Sequence, residues 1–305
     1  MSTVQVHKRH HFTGHKNAIY GLATGRQPGT VLSAAGDGII AEWDVVNGGD
    51  AQLLARVPTQ VFSVVHMPEY ELVVAGQMNG GIHVMNTRTN EELRHLAKHT
   101  GSIFYQHYDQ ERQRLLVAGG DGLLSVWTVP DFQLLHTVQL SENQLRYLTL
   151  SPDGNTLAVA CSGNYIHLLH AETYQVRQQW AAHDNSVFSL RFLPDDTLIS
   201  GSRDAYLKIW SPGDAYQLTH AIPAHLFTVN DIAGMENLSF FASAGRDKHV
   251  KLWDASTFAL LKVIDHEKME GHTHSVNRLL WLPAEQALVT AGDDRSIMVW
   301  DIARN

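Results

Sequence analysis

The sequence predicts an all-β chain folded as a ring of seven four-stranded antiparallel blades. Three features carry this expectation. Trp43, Met85, Trp127, Leu169, Trp210, Trp253 and Trp300 recur at intervals of 41 to 43 residues, widening to 47 at the last. A histidine stands 27 or 28 residues before five of them, at His15, His99, His183, His225 and His272. Self-similarity at such a period marks one supersecondary unit copied along the chain. Within each unit the pattern is β-like: Thr197-Leu198-Ile199-Ser200, a turn at Arg203-Asp204, then Leu207-Lys208-Ile209-Trp210 alternate apolar and polar residues as a hairpin does.

Taken from the N-terminus, the segment 3–12 precedes the first histidine and has no unit of its own. After Trp300 only Asp301 to Asn305 remain, too few for a fourth strand. The economical solution is that 3–12 supplies the outer strand of the seventh blade. Ring closure then rests on backbone hydrogen bonds between the two ends of the chain, and the open ends of an unclosed array disappear. The repeats run at about 15–56, 57–98, 99–140, 141–182, 183–224, 225–271 and 272–305, one domain in all. In four of them a strand such as Val187–Phe192 ends in a proline turn, at Pro68-Glu69, Pro152-Asp153-Gly154, Pro194-Asp195 and Pro283-Ala284. The hairpin follows, and a fourth strand after the tryptophan slot, for example 133–140, completes the unit. One interval breaks the rhythm. Trp253 to His272 is 19 residues against 14 or 15 elsewhere, so a longer loop near Asp265 to Glu270 is expected between blades 6 and 7. It either rims a binding site or is a tolerated surface insertion.

Composition narrows the function classes. Net charge is -8 at pH 7, with no basic excess or stripe of the kind nucleic-acid binders show. The densest basic cluster, His7-Lys8-Arg9-His10-His11, reads as a charged edge strand. No apolar run approaches the roughly 18 residues of a membrane span. Cys161 is the single cysteine, which excludes an internal disulfide and suits a reducing, cytoplasmic setting. The histidines come without a cysteine or carboxylate cluster of ligand spacing, and there is no glycine-rich phosphate loop, so neither metal nor cofactor is expected.

Aspartates stand six residues before the tryptophan slot (Asp37, Asp121, Asp204, Asp247, Asp294) and hydroxyls ten before it (Ser33, Ser200, Ser243, Thr290). With the histidines they form Ser/His/Asp sets in blades 1, 5, 6 and 7 that look like nucleophilic triads. A hydrolase needs one such site, whereas this set recurs four times with a tryptophan attached. Together with Gly14-His15, Gly271-His272, Trp43-Asp44, Trp253-Asp254 and Trp300-Asp301, the pattern resembles the WD40 repeat family over essentially the whole chain. The resemblance implies a seven-bladed β-propeller in which each set is a buried structural relay: His15, Ser33, Asp37 and Trp43; His183, Ser200, Asp204 and Trp210; His225, Ser243, Asp247 and Trp253; His272, Thr290, Asp294 and Trp300. Three blades depart from it. Blade 3 has Val117 at the hydroxyl position. Blade 2 (Val57, Ala75, Asn79, Met85) and blade 4 (Ser141, Val159, Gly163, Leu169) are expected to use plain apolar packing instead.

The same resemblance implies a partner on the face that carries the loop before each first strand and the turn between the second and third. The repeat register locates those positions. Five residues after the histidine slot stand Tyr20, Phe62, Phe104, Arg146, Phe188, Asn230 and Asn277; before the turn aspartate stand Met78, Arg203, Arg246 and Asp293, among smaller residues. Aromatics and arginines are enriched in binding hot spots, and here they suit a peptide with an acidic group and an apolar anchor, although the rings would also serve simply to pack between blades. The expected function is a non-enzymatic scaffold binding a protein or peptide, with no nucleic-acid or membrane partner, as a monomer or within a hetero-complex. A regulatory or assembly subunit working through its sides is the alternative; an enzyme at the central channel has less support, because the repeat accounts for every acid-base constellation.

Overall fold

The computed structural model describes residues 4–213 and 215–304, so Thr3, the first residue of the expected closing strand, lies outside the described residues. Seven four-stranded antiparallel sheets form the ring. Blade 5 shows the unit: Val187–Phe192, Leu198–Ser202, Tyr206–Ser211 and Gln217–Pro223 follow one another from the axis outward. The first strands of the other blades are Ile19–Thr24, Val61–Met67, Ile103–Asp109, Leu145–Leu150, Val229–Met235 and Val276–Leu282. Each lies beside the next around the axis, and the strand of blade 1 neighbours that of blade 7. No helix among the described residues is long and apolar enough to cross a membrane.

A blade has two faces and no core of its own. The seven apolar clusters each join one blade to the next. Trp43 and Ile19 of blade 1 pack with Val289 and Val299 of blade 7, Ile40 and Leu54 of blade 1 with Val73 and Met85 of blade 2, and so on round the ring. Burial of this kind contributes about 25 cal/mol per Å² of apolar surface, and only a closed ring provides it at all seven interfaces.

Closure is made by Val4–Thr13, which pairs antiparallel with Ser296–Arg304 from Val4↔Arg304 to Thr13↔Ser296. A bulge at Arg9, between the pairs Lys8↔Trp300 and His10↔Val299, interrupts the alternation. Arg9 turns inward there. Its Nε donates to Asp301 Oδ1 (2.8 Å) and its Nη2 to the Glu285 carbonyl (2.9 Å). The basic cluster is therefore partly used in locking the ring.

The long 6–7 connection folds as a single helical turn, His266–Met269, capped by Asp265, whose Oδ1 accepts the Lys268 N–H (2.7 Å). Met269 packs against the blade 6–7 cluster, and Lys8 Nζ donates to Glu270 Oε2 (2.6 Å). The insertion thus lies along the closing strand and lines none of the axial pocket.

Each relay runs from core to loop. In blade 1 the Trp43 indole N–H donates to Ser33 Oγ (2.8 Å), Ser33 Oγ lies 2.7 Å from His15 Nε2, and His15 Nδ1 lies 3.1 Å from Asp37 Oδ2. An indole nitrogen can only donate. The carboxylate can only accept, so the ring hydrogen sits on Nδ1, and Nε2 of that tautomer accepts the serine proton. Corresponding distances are 2.8, 2.7 and 2.9 Å in blade 5, 2.9, 2.8 and 2.8 Å in blade 6, and 3.1, 2.8 and 2.9 Å in blade 7. Each carboxylate also accepts the backbone N–H after its histidine, from Lys16, Asp184, Leu226 and Thr273. A buried tryptophan is thereby wired to the surface loop.

Blade 3 corrects the reading made at Val117. Ser125 supplies the hydroxyl, 2.7 Å from His99 Nε2 and 2.8 Å from the Trp127 indole nitrogen. Val117 and Ser125 are direct cross-strand partners. The side chains of such a pair stand on one face, so the hydroxyl has crossed to the neighbouring strand without leaving the site. In blades 2 and 4 Ala75, Met85, Val159 and Leu169 lie in the apolar clusters between blades, and a buried histidine is added beside them. Opposite Ala75 stands His83, and opposite Val159 stands His167, both buried. His83 Nδ1–H donates to Glu92 Oε1 (2.8 Å). The His83 Nε2 has no hydrogen-bond partner among the described residues. Burial lowers the pKa of His167, against a side-chain hydrogen bond with Gln179.

Three outcomes are expected. Deleting residues 1–12 should lower the melting temperature sharply and broaden the transition followed by circular dichroism; an unchanged melting curve would refute closure by this strand. Ser125→Ala should destabilise by about 1–3 kcal/mol in urea unfolding, because it strands a buried indole and imidazole, whereas Val117→Ala should not break the relay. Burial alone would raise the Asp204 and Asp247 carboxyls, but the histidine and backbone donors outweigh it and hold both at about 2. Folded values below the unfolded value of about 4 mean stability that is present above that pH and lost as pH falls through the folded values. The urea midpoint should therefore drop between about pH 4 and 2, and less steeply in Asp247→Asn.

Candidate functional site

At the start of every first strand the pairing slips by one residue. The shifts fall between Ile19 and Gly21, Val61 and Ser63, Ile103 and Tyr105, Leu145 and Tyr147, Val187 and Ser189, Val229 and Asp231, and Val276 and Arg278. The residues left out of the ladder are Tyr20, Phe62, Phe104, Arg146, Phe188, Asn230 and Asn277. A bulge re-aims the side chain that it releases. All seven line one pocket of about 340 Å³ at the mouth of the channel, together with Arg278 and Asp293.

Five of these side chains form a continuous arc. Tyr20 meets Phe62 edge-on at 4.9 Å between ring centroids, and Phe62 stacks on Phe104 at 5.7 Å. The Arg146 guanidinium lies over Phe104 (3.9 Å) and Phe188 (4.3 Å). Burial, with Arg278 as a nearby like charge, lowers the pKa of Arg146 to about 10. It remains a cation at neutral pH, and its charge is poorly solvated. Opposite, the arc is polar. Asn277 Nδ2 donates to Asp293 Oδ1 (2.7 Å) and to the Ile19 carbonyl (3.1 Å), and Asn230 Nδ2 to Ser275 Oγ (2.9 Å) and the Val276 carbonyl (2.8 Å). These amides join neighbouring blades as well as facing the pocket.

Arg278 was not singled out by the register reading, although it is the only cation at its slot, where the other blades have Gly21, Ser63, Tyr105, Tyr147, Ser189 and Asp231. It spans the channel: Nε donates to the Tyr20 carbonyl (2.7 Å) and Nη2 to the Phe104 carbonyl (3.1 Å). Below it Tyr105 and Tyr147 stack at 3.8 Å, within 5.4 and 5.8 Å of the guanidinium. Asp231, also buried there, accepts the backbone N–H groups of Ile232 and Leu279 (2.9 Å each), and burial raises its pKa despite Arg278. Arg278 thus separates the upper pocket from a lower cavity of about 410 Å³.

Met78, Arg203 and Arg246 do not line the pocket. They stand exposed on the same face, each with its backbone N–H donating to the loop carbonyl of its own blade, at Gln60, Ser186 and Thr228 (2.9 Å each). Beside Arg246 the loop carries Leu226 and Phe227, 76% and 58% exposed, which the histidine register passed over. They are the two residues that follow His225, and an exposed apolar pair next to a relay histidine was a signal available in the sequence.

The family model described as "WD domain, G-beta repeat" matches residues 6–44, 174–211, 216–254 and 265–301, half of the chain. The stretch between the first two matches holds blades 2 and 3 and most of blade 4, the blades that depart from the repeated relay. Transducin beta-like protein 3 of Rattus norvegicus is 24% identical over 297 residues, 95% of this chain and 32% of that protein. Protein tipD of Dictyostelium discoideum is 21% identical over 95% of this chain and 48% of its own length. The guanine nucleotide-binding protein subunit beta of Solanum tuberosum is 23% identical over 68% of this chain and 58% of its own length. The chain spans about a third to somewhat over half the length of these relatives.

Proposed function

This chain belongs to the WD40 repeat family, and from that membership we propose that it is a non-enzymatic interaction scaffold taking a protein or peptide ligand on the face that bears the axial pocket. One observation carries the reading: seven bulges, one per blade, direct a tyrosine, three phenylalanines, an arginine and two asparagines into a single pocket. Packing alone would be served by seven similar residues. Instead the pocket combines aromatic surface, a cation and a carboxylate, the mixture that gives both affinity and orientation. Leu226, Phe227 and Met78 extend apolar surface outward from its rim on blades 6 and 2, and Arg203 and Arg246 add charge beside it.

The sides are the competing surface. Their exposed aliphatics, Leu53, Leu93, Leu134, Leu135, Val176, Leu218 and Leu260, are spread over six blades, and of these Leu134 and Leu135 alone share one. Single exposed residues of this kind are ordinary on any soluble surface, which favours the pocket face. The triad look-alikes are fully engaged in the relays, so no nucleophile is left free by them for catalysis.

The test is affinity capture with the immobilised protein in two surface variants. Leu226→Ser/Phe227→Ser should lose the captured proteins with its melting temperature unchanged. Leu53→Ser/Leu93→Ser should retain them. The opposite result would move the interface to the sides.

A further inference from the structure

The axial pocket contains a cation whose partner is missing from the protein. The half-buried arginines elsewhere are matched: Arg9 with Asp301, Arg26 with Glu42, Arg112 with Asp109, Arg114 with Glu172. Arg146 is not. Its one side-chain hydrogen bond, among the described residues, is from Nη1 to Gln144 Oε1 (3.0 Å). A guanidinium carries five N–H donors, so four of them have no protein acceptor. The pocket's own carboxylate, Asp293, belongs to blade 7 and is engaged with Asn277.

We propose that Arg146 is a carboxylate subsite, and that the ligand of this pocket is an acidic peptide segment whose carboxylate docks on the Arg146 fork with an apolar side chain beside it against Tyr20 and Phe62. This rests on the reading of the pocket as the ligand site. Phe104 and Phe188, from the blades on either side, hold the guanidinium between them. The fork is therefore preorganised, and little side-chain entropy is lost when a ligand arrives. The rings also select the shape of the anion. A planar carboxylate meets two N–H groups in the guanidinium plane and fits edgewise between the rings. A phosphate carries oxygens out of that plane, toward the electron-rich ring faces. Charge selects in the same direction. Arg278 adds a second cation at the floor, where two backbone carbonyls take two of its five donors and hold it across the channel, while Asp293 opposes a dianion from the rim.

The carboxylate can come from an aspartate or glutamate side chain or from a chain terminus, and defined probes separate the two. Purified protein is titrated with N-acetyl-aspartyl-phenylalaninamide for the side-chain source and N-acetyl-phenylalanine for the terminal one. Their controls are N-acetyl-asparaginyl-phenylalaninamide and N-acetyl-phenylalaninamide, with phenyl phosphate as the dianion. Binding is read from the Nε–Hε NMR resonance of Arg146. At least one acid should move that resonance and bind about 10- to 100-fold more tightly than its amide, the range expected when a charged hydrogen bond is lost. Phenyl phosphate should bind more weakly than that acid.

Arg146→Gln should keep its melting temperature, since no carboxylate of the protein loses a partner, and should abolish the preference for acid over amide. Arg146→Lys keeps the charge without the fork and should lose most of that preference. The proposal is overturned if acids and amides bind alike, if phosphate binds best, if neither acid moves the resonance, or if Arg146→Gln retains the preference. Should the probes fail while Leu226→Ser/Phe227→Ser still loses its captured proteins, the carboxylate assignment falls and the binding face stands.

Discussion

Backbone pairing between the two ends of the chain is the constraint on which the molecule depends. Every apolar cluster lies between two blades, so no blade is stable by its own packing, and a ring with one interface open would expose two apolar faces. Val4–Thr13 prevents this by completing the blade that holds the C-terminal strand. The Arg9 bulge strengthens the closure with contacts to Asp301 and to the carbonyl of Glu285. A local slip in the ladder here fastens the ring; at the axis, the same kind of slip builds the pocket.

The polar relays act at a different level. They link an indole between the blades to the loop and turn at the surface, and so carry the rigidity of the core to the residues that face a ligand. Their chemistry is conserved in space more strictly than in sequence. Ser125 crosses to the strand opposite Val117 and still meets His99 and Trp127. In blades 2 and 4 an imidazole, His83 or His167, takes the place that Ser125 has in blade 3, opposite an apolar residue at the hydroxyl slot. Buried polar networks lose most when half satisfied.

Much of this was legible in the chain itself. The tryptophan interval, the Pro-Asp turns and the surplus N-terminal segment led to seven blades and their closure. The seven bulge residues were reachable by counting from His15, His99 and the other histidine slots. Three things were not legible. Val117 looked like a lost hydroxyl because a residue-by-residue register cannot see across a hairpin. His83 and His167 were passed over for the same reason. Arg278 was missed because its role depends on reaching carbonyls on blades 1 and 3, far from it in sequence.

The sequence by itself determined the number of blades, their order and the residue at each repeated slot, because these follow from period and alternation, which are local properties of the chain. Tertiary structure alone decided what those slots do. Which side chain leaves the ladder is set by the bulge, which depends on how each first strand pairs with the second. Which cation stays unpaired is set by the surroundings that ring closure creates: Arg146 meets Phe104 and Phe188 and no carboxylate only once blades 3, 4 and 5 stand side by side.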